Sequence, residues 1–218
     1  MLLQYAASSV FAVGRVTPNG VNLLGTAFLV AKNKLATTKH VTGGSDSNLV
    51  IIIPKIQSLY DYQDTTDSKV SFINVKISEI DPFKDICILT MEHKGEISPP
   101  YVLSSTDNIH PGSPVVTFGF PHADHGRLVL TQQDTNVGAK VLIESSGIKS
   151  KHIVLNTLAR PGQSGGPVFN PSNMSVVGML IGAYIPQGGS GVIIAGIDPA
   201  SLHQTTHVIS AEYIKEML

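Results

Sequence analysis

Residues 162–169 read GQSGGPVF, with one serine set among three glycines, a glutamine before it and a proline after them. Glycine is entropically costly to order and gives a core nothing to pack. Such a cluster therefore marks unusual backbone geometry or close approach of the backbone to a ligand. Taken alone, residues 162–167 read equally well as a plain Gly-Gly-Pro turn closing a hairpin. The surrounding sequence decides between the two.

On both sides of that cluster lie short runs rich in Val, Ile, Leu and Thr, broken by Gly, Pro, Asn and Asp. They are SSVFAVGRV (8–16), GTAFLVA (25–31), LVIII (49–53), KVSFINVKI (69–77), DICILTM (85–91), SPVVTFGF (113–120), GRLVLTQQ (126–133), AKVLIESS (139–146), HIVLNT (152–157), SVVGMLIGAY (175–184) and SGVIIAGI (190–197). Many short strands with turn signals between them predict a sandwich or barrels. The first two runs are joined by a Pro-Asn-Gly turn. Helical periodicity is confined to SAEYIKEML (210–218), where Ser210 could cap, Glu212 sits in the first turn, and Ile214, Met217 and Leu218 share a face. The chain thus reads as all-β with a short C-terminal helix. Residues 93–113 hold three prolines, two glycines and little periodicity, and divide the strands into comparable halves. This predicts an N-terminal barrel over 1–95, a connector over 96–110, and a C-terminal barrel plus helix over 111–218.

The bulk composition narrows the function classes. Of 218 residues, 42% are apolar and 14% charged, with net charge −1. That balance suits a compact globular protein and lacks the basic excess of a nucleic-acid binder. The single cysteine, Cys87, excludes an internal disulfide framework and reads as a small core residue. The opening MLLQYAASSVFAVGRV has no positive segment before its apolar run, so no secretory leader is expected. No apolar stretch approaches the roughly 20 residues that span a bilayer. A cytoplasmic protein with no membrane partner is the expectation. His122 and His125 in PHADHGR have HxxH spacing, but a zinc site needs more ligands, and they read as loop histidines. The glycines of PQGGSGV (186–192) fit a hairpin loop, since no lysine follows to make a phosphate loop. No metal or cofactor is expected.

A serine hydroxyl is a poor nucleophile at neutral pH and needs a base at hydrogen-bonding distance, itself oriented by a third group. Among eight histidines, His40 stands where a β-run ends and a loop begins, in KLATTKHVT. For the acid, DPFKDICILTM offers Asp81 and Asp85. Asp81 precedes a proline in a turn, where a locally bonded Asp is ordinary. Asp85 opens an apolar strand, so its side chain can lie at the core's edge, and it is the better choice. The order along the chain is His40, Asp85, Ser164.

LATTKHV, DPFKDICIL and GQSGGPVF resemble the His, Asp and Ser segments of the chymotrypsin-fold serine proteases. GTAFLV (25–30) and HPGSPVVTFGFP (110–121) extend the likeness over essentially the whole chain. The pattern is most similar to the HtrA and glutamyl-endopeptidase branches. The resemblance implies two perpendicular six-stranded β-barrels with the active site in the cleft between them. It implies Ser164 as nucleophile, His40 as proton shuttle, Asp85 as orienting acid, and the backbone N–H groups of Gly162 and Ser164 as an oxyanion hole. Gly165 and Gly166 would let a substrate-side strand pass close by. The primary specificity pocket falls on Leu158, Ala159 and Arg160, then Leu180, Ile181, Gly182 and Ala183, with Leu158 as a buried floor. Glutamyl-specific relatives use a pocket histidine on the strand corresponding to VGMLIGAY, which carries none; His203 and His207 lie nearer the terminal helix.

Two departures stand out. Gln163 replaces an acid that in digestive relatives pairs with a freshly cut N-terminus, so trimming Met1 to Ala6 is not expected to activate the chain. A PDZ domain, usual in HtrA proteins, is not expected beyond IKEML. The resulting expectation is a serine endopeptidase acting on protein or peptide substrates and cutting after small or medium apolar residues. It allows for latency until a regulatory partner engages. The rival is a protease-like binding or scaffold module within a larger complex, such as a bacterial stress or defence system.

Overall fold

The computed structural model describes residues 7–56, 58–184 and 205–218. Its strands form two closed antiparallel barrels of six strands each. The first runs through β1 (Val10–Thr17), β2 (Gly20–Ala31), β3 (Lys34–Thr38), β4 (Leu49–Ile52), β5 (Phe72–Asp81) and β6 (Ile86–Met91). A one-turn helix, α1 (Lys39–Thr42), follows β3. The second barrel runs through β7 (Pro114–Gly119), β8 (Thr131–Ser145), β9 (Ile148–Leu155), β10 (Pro167–Asn170), β11 (Ser175–Tyr184) and β12 (Thr205–Ser210). Pairing of β1 with β4 closes the first barrel, and pairing of β7 with β10 closes the second. Closure leaves no sheet edge unpaired around the ring, which removes the main liability of short strands.

Apolar residues on alternate positions fill each barrel. Phe11, Val13, Leu29, Leu35, Ile51, Cys87 and Leu89 form the interior of the first. Ile109, Val115, Ile153, Leu155, Val168 and Val208 form that of the second. A third cluster, including Val10, Phe28, Ile88, Phe118, Phe169 and Ile209, joins the two barrels and carries the terminal helix on Ala211 and Ile214. Phe169 is packed edge-on against both Phe118 and Tyr101, with ring centroids 5.8 and 5.0 Å away. Cys87 is fully buried, as expected, and burial pushes its thiol up to about 11.

Several expectations are corrected. GRLVLTQQ and AKVLIESS are not separate strands: β8 starts at Thr131 and runs unbroken to Ser145. Strands β10 and β12 (PVFN, TTHVIS) are too short or too mixed in character to stand out as apolar runs. The helix α2 spans only Glu212–Glu216, and Ser210 does not cap it. Ser210 ends β12 instead, and its hydroxyl accepts the Thr106 N–H at 3.1 Å. The expected strand at 190–197, the 186–192 loop, His203 and Met1–Ala6 lie outside the described residues. Among the described residues, no helix is long and apolar enough to cross a membrane.

His152 on β9 is buried, and that burial pushes its imidazole below the ordinary histidine range. The folded form therefore resists a proton that the unfolded chain accepts near pH 6.5. Stability is expected to fall as pH drops through that value, seen as a declining melting temperature between pH 7 and 5. His152→Asn should flatten that slope.

Candidate active site

The catalytic candidates of the first barrel come together at the start of α1. Asp85 stands immediately before β6 with φ 57°, a left-handed conformation that Asp tolerates better than most residues. That twist folds its carboxylate back onto α1. Oδ1 accepts the His40 backbone N–H at 2.9 Å, Oδ2 lies 2.5 Å from His40 Nδ1, and the Asp85 carbonyl accepts the Lys39 N–H at 3.0 Å. The helix has no side-chain cap of its own, so Asp85 does that work from outside. Two-point contact fixes ring plane and tautomer together: Nδ1 keeps the proton, and Nε2 is left as the base. Arg15 braces the segment beyond α1 through the Thr42 carbonyl at 2.9 Å and the Ser45 carbonyl at 3.0 Å, with Ser47 as a further acceptor.

Asp81 has a different job. Its Oδ1 accepts the N–H groups of Phe83 and Lys84, each at 3.0 Å, and Oδ2 pairs with Lys84 Nζ at 2.7 Å. Burial pushes its carboxyl up, but the Lys84 ammonium and N–H together hold it below the ordinary range. Lys84 in turn lies 5.1 Å from the centre of the Tyr213 ring. Asp81 thus closes a turn through local bonds.

Ser164 arrives from the second barrel on the turn Arg160–Gln163. Pro161 and Gly162 occupy its centre, Gly162 has φ +89°, and the Gln163 N–H donates to the Arg160 carbonyl at 3.1 Å. Proline second and a positive-φ glycine third is the chemistry of a type II turn. A Cβ on Gly162 would lie 2.4 Å from the Phe120 carbonyl oxygen and 2.7 Å from the Ala123 nitrogen. The position therefore demands glycine on both counts.

Each carbonyl of this turn is held from behind. Pro161 C=O accepts the His122 N–H at 2.6 Å, and Gly162 C=O accepts the Thr26 hydroxyl at 2.7 Å. Gln163 C=O accepts the Gly166 N–H at 3.0 Å, and Ser164 C=O accepts the Thr26 N–H at 3.0 Å. Across a trans peptide, C=O and the following N–H point in opposite directions. Anchoring Pro161 C=O on His122 therefore turns the Gly162 N–H the other way, and anchoring Gln163 C=O does the same for the Ser164 N–H. Neither N–H has an acceptor among the described residues, whereas those of Gln163, Gly165 and Gly166 all do. Unengaged donors of this kind are what an oxyanion requires.

The two halves meet over Gly25. A Cβ there would fall 2.6 Å from a methyl of Val41, the neighbour of His40, and 3.2 Å from the Ser164 carbonyl oxygen. Gly165 and Gly166 also mark close approach, but the crowding strands belong to the protein. A Cβ on Gly165 would strike the Thr26 carbonyl at 2.0 Å, and one on Gly166 the Phe118 carbonyl at 2.3 Å.

The specificity candidates are placed unevenly. Leu158 is 48% exposed, not a buried floor. Ala159 donates its N–H to Thr206 Oγ1 at 2.8 Å, tying the 157–160 segment to β12. Arg160 is exposed and Ile181 partly so, while Leu180 is wholly buried in the core. The backbone of Ala183 pairs with Thr206, and that of Gly182 with His207. Gly182 has φ +150°, and a Cβ on it would lie 3.6 Å from Ser164 Oγ.

Sequence reasoning missed Thr26, His122 and Gln133, which support the turn without touching the reacting atoms. Nothing in a sequence marks a backbone N–H such as that of His122. Thr26 could only have been suspected from a buried hydroxyl inside GTAFLV.

Comparison with known proteins gives a consistent set of similarities. The sequence model of a trypsin-like peptidase domain matches residues 25–179. A glutamyl endopeptidase of Staphylococcus epidermidis is 26% identical over 184 residues, covering 81% of this chain and 60% of that protein. The chain thus spans about 60% of the length of this curated relative. Among solved structures, the MamO protease domain of Magnetospirillum magneticum aligns with TM-score 0.69 at 16% identity, covering 98% of this chain and 97% of that one. The active form of the Rv3671c protease of M. tuberculosis gives 0.69 at 19% identity, covering 99% and 81%. The HtrA-type protease AlgW with a decapeptide gives 0.69 at 16% identity, covering 100% and 66%. At these identities the structural likenesses establish the fold.

Proposed function

The chain belongs to the trypsin-like peptidase domain family, and on that premise we propose that it is a serine endopeptidase working through His40, Asp85 and Ser164. Ser164 Oγ attacks the scissile carbonyl while His40 Nε2 takes its proton. The Gly162 and Ser164 N–H groups receive the negative charge on the former carbonyl oxygen. His40 then protonates the leaving amine, and a water repeats the sequence to release the acyl group. The observation that carries this reading is the two-point grip of Asp85 on His40, beside a serine turn with two unengaged N–H groups.

Its test is labelling of Ser164 by a fluorophosphonate, with and without cell extract from the source organism. Labelling without extract is the expected result, because the Gly162 and Ser164 N–H groups have no acceptor among the described residues. Labelling that needs extract would favour latency and a regulatory partner. None under either condition would favour the binding or scaffold module.

For specificity, the described residues assigned to the pocket offer no anionic group: Leu158, Ala159 and Ile181 are apolar, and Arg160 is cationic. Burying a substrate lysine or arginine against them would leave its charge unpaired. Cleavage after small or medium apolar side chains is the expected majority when a denatured protein mixture is digested and its cut sites are sequenced. A majority after Lys or Arg would sink this assignment, and one after Glu or Asp would transfer the role to Arg160 or His207.

A further inference from the structure

The turn carrying Gly162 is closed by a reciprocal pair of bonds. The Gln163 N–H donates to the Arg160 carbonyl at 3.1 Å, and the Arg160 N–H donates to Gln163 Oε1 at 2.7 Å. A closed turn can still swing as a unit, and with it the direction of the Gly162 N–H. Thr26 restrains it from the first barrel through the Gly162 and Ser164 carbonyls. From the second barrel, Gln163 Nε2 donates to Gln133 Oε1 at 2.7 Å.

We propose that Gln133 is a positioning residue of the active site: acting through the Gln163 side chain, it holds the oxyanion turn in its competent orientation with a neutral hydrogen-bond chain. This rests on the serine-endopeptidase reading above.

The direction of the chain is dictated by its first donor. A backbone N–H faces Gln163 at Arg160, so the facing atom must be the amide oxygen. The NH₂ group is then left toward Gln133, which must present an oxygen. Gln163 is 1% exposed, so water has little access to replace that acceptor. Without it, a buried amide donor stays unpaired unless Gln163 rotates and releases Arg160. Gln133 is well placed for the task. It lies on β8, where its backbone pairs with Thr117 of β7, and Thr117 also pairs with Val168 in the strand that leaves the serine turn. A side chain mounted on a continuous ladder positions its partner more tightly than one on a loop.

The experiment compares the full chain with Q133L, which matches the size but offers no acceptor, and Q133E, which keeps an oxygen at the same reach. Active sites are first counted with a fluorophosphonate. Then kcat, KM and the affinity for a peptide boronic acid, whose adduct carries a tetrahedral oxyanion, are measured per active site. Q133L should lower kcat by about 10- to 100-fold, somewhat less than deletion of an oxyanion donor itself. KM should stay within about twofold, boronate affinity should fall in parallel with kcat, and Q133E should recover most of both. If Q133L is not recovered folded, Q133N, whose amide falls short of Gln163, should show the same pattern. A lowered melting temperature with unchanged kcat per site would overturn the proposal, as would a Q133E as impaired as Q133L. Failure of the unaltered chain to take up the fluorophosphonate, with or without cell extract, would instead remove the endopeptidase reading itself.

Discussion

Ser164→Ala is expected to abolish peptide hydrolysis while leaving the melting temperature nearly unchanged. The alanine removes the atom that forms the acyl bond, and the remaining oxyanion donors and binding contacts accelerate only the slow attack of water. For serine nucleophiles of this kind the loss in kcat is roughly 10⁶-fold. The fold should hardly register the change, because what ties residue 164 into the structure is backbone. Its carbonyl accepts the Thr26 N–H at 3.0 Å, and the next N–H donates to the Leu180 carbonyl at 2.7 Å. Both bonds survive the substitution. The measurement is turnover of a peptide substrate beside thermal unfolding of the same preparations. An alanine variant that kept even a thousandth of the activity would mean that another group is the nucleophile.

The second large effect separates the two aspartates. Asp85→Asn should lower kcat by about 10⁴-fold, in line with the loss known for the orienting acid of such triads. The asparagine NH₂ facing Nδ1 would favour the tautomer whose proton sits on Nε2, and that ring cannot act as a base. Oδ1 can still accept the His40 N–H, so α1 should remain in place and stability should change little. Asp81→Asn should do the opposite. It discards the ion pair with Lys84, whose side chain is 18% exposed, and should lower the melting temperature modestly with kcat per active site nearly unchanged. A reversed pattern would move the acid to Asp81. His40→Ala should be as damaging as Ser164→Ala, since neither residue activates the substrate alone.

These contrasts show how differently residues were legible. His40, Asp85 and Ser164 could be singled out because their chemistry is rare and their settings are distinctive: a histidine ending a β-run, a carboxylate opening an apolar strand, a serine among glycines. Asp81 could be set aside because Asp-Pro is a turn signal, and the turn with its bond to Lys84 follows from that local chemistry. Leu158 went the other way. An apolar residue six positions before the nucleophile suggested a buried floor, yet it is 48% exposed. Burial of one side chain depends on which distant segments cover it, and spacing along the chain carries no such information. The crowding at Gly165 was hidden for the same reason, since the atoms it must avoid belong to Thr26 and Thr37, more than a hundred positions earlier.

By itself, the sequence determined the class of the fold, its division into two strand-rich halves and the three side chains proposed to react. Those features are written in local patterns: apolar runs of strand length, turn residues between them, and functional groups with few alternative uses. Only the tertiary structure decided how the reacting groups are held. The closure of each barrel by β1 with β4 and β7 with β10, and the support of the serine turn by Thr26, His122 and Gln133, are all long-range. Hydrogen bonds to backbone carbonyls place almost no demand on side-chain identity. The geometry that sets the direction of a peptide plane is therefore fixed by packing, and the sequence leaves no local mark of it.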